Sequence, residues 1–222
     1  MNNFELKPSE ENYEIELTGS FIPSKFHPMW FYKNGLLGEK EAKDADLVEA
    51  DGEELLFSTK FITITVEKDK FVIATKQMFS FDLVKDMAIG VSEILKDSIE
   101  NIFSIDIQLH FTFSNKKKYQ QTLNKVFEIE KWNSYLTNPQ AHSFRVVDEI
   151  KSENTQLERT ITVFPCIRSD MKNTLHLYVF NVFELKKKEL SVSNIVKDDN
   201  TTLKESFDII NKIIDLNFKK TR

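Results

Sequence analysis

The sequence predicts an α+β fold: a bent, mostly antiparallel sheet of about six or seven strands with helices packed chiefly on one face. Three observations carry this. Phe103, Ile105, Ile107, Leu109, Phe111 and Phe113 alternate with Ser104, Asp106, Gln108, His110 and Thr112. That period of two describes a strand with one buried and one wetted face. Ahead of it, Val84, Met87, Ala88, Val91, Ile94 and Leu95 form a helical stripe. Near the end, Leu203, Phe207, Ile210, Ile214 and Phe218 recur at steps of three and four, broadened by Ile209 and Ile213, as a helix lying on a sheet requires.

The other elements follow in chain order. Tyr13, Ile15 and Leu17 alternate with Glu14 and Glu16 and open the sheet. Gly19 and Pro23 then punctuate the chain. The aromatic segment Phe26–Tyr32 holds a short helix, with Pro28 in its first turn and Gly35 past its end. Gly38–Ala50 reads as a second, highly charged helix. A strand begins at Leu55 and runs through Phe57 towards a hairpin of Phe61–Val66 and Phe71–Thr75, joined by Glu67-Lys68-Asp69-Lys70. Ser80 is placed to cap the helix behind it.

Lys116–Ile129 reads as a helix with Tyr119, Leu123, Val126 and Phe127 on one side. Lys116, Lys117 and Lys118 sit at its positive end, which is unfavourable by roughly a few tenths of a kcal/mol each. Phe144–Ile150, Thr160–Ile167 and Thr174–Leu185 are strands. Pro165 removes a ladder donor and places its strand near an edge or bulge. The strand from Leu175 to Phe183 is apolar on both faces in its second half, as expected of a central strand or one at a subunit contact. Lys186–Asn200 reads as a loop, and Thr202 with Glu205 has capping-box spacing. The chain reads as a single domain over residues 1–222, or as two intimately packed halves, 1–115 and 116–222.

Composition narrows the function classes. The 222 residues include 19 Phe, 5 Gly and 5 Pro, with 41% hydrophobic and 29% charged residues. This is a globular composition, neither collagen-like nor low-complexity. A net charge of −5 argues against a nucleic-acid binder, which carries a broad basic excess. One cysteine, Cys166, makes no internal disulfide and points to a reducing compartment. No apolar run reaches the roughly 18 residues of a membrane helix, and the first residues lack the basic and apolar regions of a signal peptide. A cytoplasmic location without membrane contact is the expectation.

No motif assigns a catalytic, cofactor-binding or metal-binding residue, and the reading leans away from an enzyme. His27, His110, His142 and His176 lack metal-ligand spacing. Asp106 and His110 share a strand face but stand roughly 13 Å apart. Cys166 near Arg168 is a buried inert thiol rather than a nucleophile. Glu149, Lys151 and Glu153 fall on one strand face; with His110 they supply the second alternative, a metal-dependent hydrolase or nuclease. The lysines at 116–118, 186–188 and 219–220 with Arg222 either form one basic face or stay apart. The candidate interaction residues are Trp30, Phe31 and Tyr32 in the aromatic segment, His110 on the alternating strand, and Tyr178 and Phe180 on the doubly apolar one.

The order of Ile64–Phe71, Phe103–Phe113 and Leu203–Phe218 resembles a sporadically distributed family of uncharacterised bacterial proteins of similar length. The family has a basic, polar strand where this chain has Gln108-Leu109-His110-Phe111. The resemblance implies an α+β fold and supplies no catalytic residues. Such a distribution is common among phage-defence and mobile-element genes. The leading expectation is a non-enzymatic interaction or accessory protein of a bacterial multi-protein system, with phage defence as its setting, through a protein partner or self-association into an oligomer. The alternative is a helix-grip carrier of an apolar small ligand, whose phenylalanines would line a cavity of roughly 300 Å³ or more. No cofactor is expected.

Overall fold

The predicted hairpin of Phe61–Val66 and Phe71–Thr75 occurs within a single antiparallel sheet, in register from Thr63↔Ala74 to Val66↔Phe71. The computed structural model describes residues 8–50, 52–132, 134–137, 142–165, 172–186, 192–198 and 201–215. Its strands are β1 (Glu10–Gly19), β2 (Asp46–Ala50), β3 (Leu55–Ser58), β4 (Thr63–Val66), β5 (Lys70–Thr75), β6 (Ile99–Thr112), β7 (Phe144–Lys151), β8 (Thr155–Pro165) and β9 (Thr174–Leu185). They lie side by side as β2-β3-β4-β5-β1-β6-β9-β8-β7. The helices are α1 (Pro28–Lys33), α2 (Glu39–Lys43), α3 (Phe81–Ile94), α4 (Lys116–Phe127), α5 (Ile129–Trp132), α6 (Val192–Asp198) and α7 (Thr201–Asp215). None of these helices is long and apolar enough to cross a membrane.

Two-residue periodicity decides which face is packed. Tyr13, Ile15 and Leu17 of β1 oppose Ile107, Ile105 and Phe103 of β6, and all six are buried. Tyr13 carries the helices: its ring meets Phe81 at the start of α3 and Phe207 in α7, each at 6.1 Å. The α3 stripe of Val84, Met87, Ala88 and Val91 is buried beneath the same layer. At the far end Phe21, Phe26, Phe31, Phe57 and Phe71 interlock edge to face, with centroids 5.2–6.3 Å apart. Edge-to-face geometry sets the positive rim of one ring against the negative face of the next. One glycine is obligatory. A Cβ on Gly19 would stand 2.3 Å from the Ser98 carbonyl oxygen, at the register shift where β1 leaves β6.

Several expectations need correction. The sheet has nine strands, not six or seven. Two changes account for most of this. Gly38–Ala50 is not one helix: α2 stops at Lys43, and Asp46–Ala50 becomes β2 because Leu47 and Glu49 find partners in Phe57 and Leu56 of β3. A turn closed by Thr59 N–H donating to the Ile62 carbonyl separates β3 from β4, where a continuous run was expected. Ser80 does not cap α3 with its side chain; a 3-10 turn runs straight into the helix and holds Ser80 at ψ 4. The Lys116–Ile129 helix breaks at Glu128, which is left-handed at φ 49, and Asn115 caps its start by accepting from the Lys117 amide. β8 begins at Thr155 and is an interior strand; Pro165 is tolerated because pairing with β7 stops at Val163. Val192–Asp198, expected as loop, is α6, with Val192 and Val196 buried. Cys166, Arg168, Phe218 and the lysines at 187–188 and 219–220 lie outside the described residues.

Candidate functional site

Opposite the helices, β1, β6, β9 and β8 turn a second face outward. Three of the sequence candidates share it: His110, Tyr178 and Phe180. The expectation of a wetted face fails at its centre, because Ser104 and Asp106 are buried, as are Phe103, Ile105 and Ile107 on the opposite face. Asp106 stands directly across from Glu14 on β1. Ser104 and Tyr178 hydroxyls donate to its Oδ2 at 3.3 and 3.4 Å, while Oδ1 has no donor. Burial first, and then the neighbouring Glu14 carboxyl, push Asp106 up to about 9. The acid therefore keeps its proton at neutral pH, and Oδ1 is the oxygen free to hold it and donate towards Glu14. Burial, more than the Asp106 carboxyl beside it, raises the Tyr178 phenol well above its usual range.

At the other end of this face His110 stacks on His176 with ring centroids 4.0 Å apart, and Phe164 meets His176 edge-on at 4.4 Å. Burial and the adjacent His110 hold His176 down to about 4, so it is neutral at physiological pH. Its Nε2 is buried without a hydrogen-bond partner. Tyr178 and Phe180 stack at 5.8 Å. The arrangement is an aromatic surface bordered on β1 by the carboxylates of Glu10, Glu14 and Glu16. Its histidine is far from the carboxylates proposed to act with it. Glu149 is level with Ser104 through Glu158 and Val182, so His110 lies about 14 Å across and about 20 Å along the sheet from it. Glu149 instead pairs with Lys151 at 3.2 Å in an exposed position. Among the described residues no group of three metal-ligating side chains converges.

The remaining candidates sit at the opposite end of the molecule. Phe31 is wholly buried and Trp30 packs against the core, its ring 5.0 Å from both Phe26 and Phe31. Tyr32 is the exposed member of the three. Behind α1 the chain forms a groove of about 950 Å³ between the Gly35–Asp44 segment, the Thr59–Ile62 turn and α3. Leu36, Leu37, Phe61, Ile62, Leu83 and Met87 line it, with Lys40, Lys60, Glu41, Asp44 and Asp86 among its charged walls. This groove is not the cavity expected between the sheet and the last helix, where Tyr13, Phe207 and Ile210 are packed solid.

A further surface escaped sequence reading. All eight residues of β7 are exposed, including Phe144, Val146, Val147 and Ile150 at 41–49%. β7 is the last strand of the sheet, and among the described residues nothing pairs with its outer edge. A strand edge presents unpaired N–H and C=O groups and is a template for another strand. Of the two readings of the doubly apolar strand, the central strand is the one that holds: β9 is flanked by β6 and β8 and has no open edge. What anchors β8 under this edge was also missed. Buried Arg159 donates to Asn181 Oδ1 and to Glu205 of α7, each at 2.8 Å, and Asn181 donates to the Ile105 carbonyl at 2.9 Å. The signal was an arginine in the inward register of an alternating strand, one residue before the predicted strand began.

The fold defines an α+β protein built on a wide antiparallel sheet whose edge strands are β2 and β7. No protein-family model matches the chain, and a search of curated proteins finds no match.

Proposed function

We propose that the protein is a non-enzymatic interaction protein that docks through the β7 edge of its sheet, as an accessory component of a bacterial multi-protein system such as phage defence. The carrying observation is that β7 is exposed along its whole length and unpaired outward among the described residues. Edge pairing draws affinity from main-chain hydrogen bonds and specificity from alternate side chains, so it needs no pocket. The test is co-purification from the native host with wild-type protein and with Arg145→Glu and Val147→Lys variants. Partners retained by the wild type and lost by both folded variants support the reading. Partners indifferent to both sink it.

The groove beneath α3 favours a second reading, a carrier of an apolar small ligand. Its volume of about 950 Å³ falls within the range of ligand sites, and its floor is aliphatic and aromatic. Native mass spectrometry of freshly purified protein tests it. A bound small mass that Leu83→Asp abolishes supports this reading; a bare chain that also fails to take up added apolar probes ends it.

A further inference from the structure

We propose that the partner of the β7 edge is β7 of a second copy, paired antiparallel about a two-fold axis through Val147. The inference rests on the edge-docking reading above and adds the partner and the register.

Symmetry limits the choices. Two copies of one strand pair antiparallel only about an axis perpendicular to the sheet, which keeps both helix layers on one side. Facing side chains lie on the same side of the sheet, so each residue faces one of the same parity. Near the middle of β7 the axis passes through Val146, Val147 or Asp148.

Chemistry selects one of the three. With the axis at Asp148, that carboxylate faces its own copy and Arg145 faces Lys151, so like charges oppose three times across the axis. With the axis at Val146, Arg145 faces Val147, Phe144 faces Asp148, and the end of the strand runs past its partner. With the axis at Val147, Arg145 faces Glu149, Phe144 faces Ile150 and Val146 faces Asp148 on both sides, and Val147 meets itself; this is the register that gains two opposite-charge pairs and opposes no like charges. Opposite charges directly across a strand pair are favourable and like charges are not. Among the described residues Arg145 is exposed and forms no ion pair, and Glu149 is bridged by the solvent-facing Lys151. The pairing also covers the Phe144, Val147 and Ile150 side chains that β8 and the helices leave exposed.

The test is sedimentation velocity from about 1 to about 100 μM. The wild type is expected to reach a two-chain mass within that range. Arg145→Glu and Glu149→Arg should each weaken the dimer at least about tenfold, and the double exchange should restore it, because both charge pairs re-form reversed. Circular dichroism confirms that all three fold. Register is read by thiol crosslinking with Cys166→Ser as background: Val147→Cys should join two chains, and Arg145→Cys, about 13 Å from its own copy, should not. A dimer indifferent to the charge variants, or crosslinked equally at 145 and 147, overturns the proposal. A single-chain mass throughout also overturns it. In that case host partners lost by the Arg145→Glu variant leave the edge as a docking surface for another protein, while partners unaffected by it remove both readings.

Discussion

The two edges of the sheet are built differently. β2 has five residues, and its register with β3 shifts between Leu47 and Glu49. β7 has eight residues in unbroken register with β8. β2 carries Asp46 and Glu49 and no base, whereas β7 balances Arg145 and Lys151 against Asp148 and Glu149. Both expose apolar side chains: Leu47 and Val48 on one, Phe144, Val146, Val147 and Ile150 on the other. Exposed hydrophobicity alone therefore does not distinguish them. A bulge, short length and one sign of charge are the devices that blunt a strand edge. β2 has all three. β7 has none, and its charges are in an order that suits its own copy.

The largest expected effect comes from removing what holds β7 in place. Arg159→Ala leaves the buried Asn181 side-chain Oδ1 without its donor and takes the half-exposed Glu205 carboxylate's partner. The expected loss is about 3 kcal/mol, read as a fall in the urea midpoint. Hydrogen exchange should accelerate in β7 and β8 and stay unchanged in β2 and β3. Equal acceleration at both edges would show that the two ends do not unfold separately.

Asp106 tests the sealed centre against which both edges are measured. Below about pH 4 the native and unfolded chains both hold its proton. Between there and about pH 9 only the native chain does, so stability falls as pH rises through that window. Asp106→Asn should therefore match the wild type at pH 4 and exceed it progressively as pH rises towards 8, measured by denaturant unfolding. His176 acts with the opposite sign. Its native form stays neutral while the unfolded chain protonates, so stability drops as pH falls from 6.5 to about 4. His176→Phe should flatten that acid limb.

A matched pair of edge substitutions separates the strands directly. Val147→Lys sets two cations together on the proposed axis and should weaken the dimer at least about tenfold by sedimentation. Val48→Lys, on the bulged edge, should leave mass unchanged and stability within about 0.5 kcal/mol. The smallest effect is at Lys151. Its exposed bridge to Glu149 competes with Arg145 of the second copy, so Lys151→Ala should tighten association about twofold. Weaker association would place Lys151 inside the contact.

Much of the architecture was legible because it is local. Thr174–Leu185 occurs as a strand with the predicted bounds, and the alternation from Phe103 runs through β6 to Thr112, with Phe113 one residue past its end. The stripes of α3 and α7 bury Val84, Met87, Val91, Phe207 and Ile210 as their spacing requires. The misses have a common cause. Asp46–Ala50 has the composition of a helix and becomes a strand because β3 offers it partners. Arg159 is buried because Asn181 and Glu205 arrive from distant segments to receive it, and Asn181 in turn donates to Ser206. The site candidates divided in the same way. His110, Tyr178 and Phe180 came together because β6 and β9 are neighbours, while Phe31 was drawn into the aromatic core.

By itself, the sequence determined the class of fold, the placement of its long strands and its two principal amphipathic helices. Those properties depend on side chains two to four residues apart, and the pleat and the helical turn convert such spacings into faces. Only the tertiary structure decided which strands are interior and which are edges, that Asp106 is sealed against Glu14, and that β7 stands open. These follow from pairings between residues as much as about a hundred positions apart, such as Glu10 with His110, which no local period encodes.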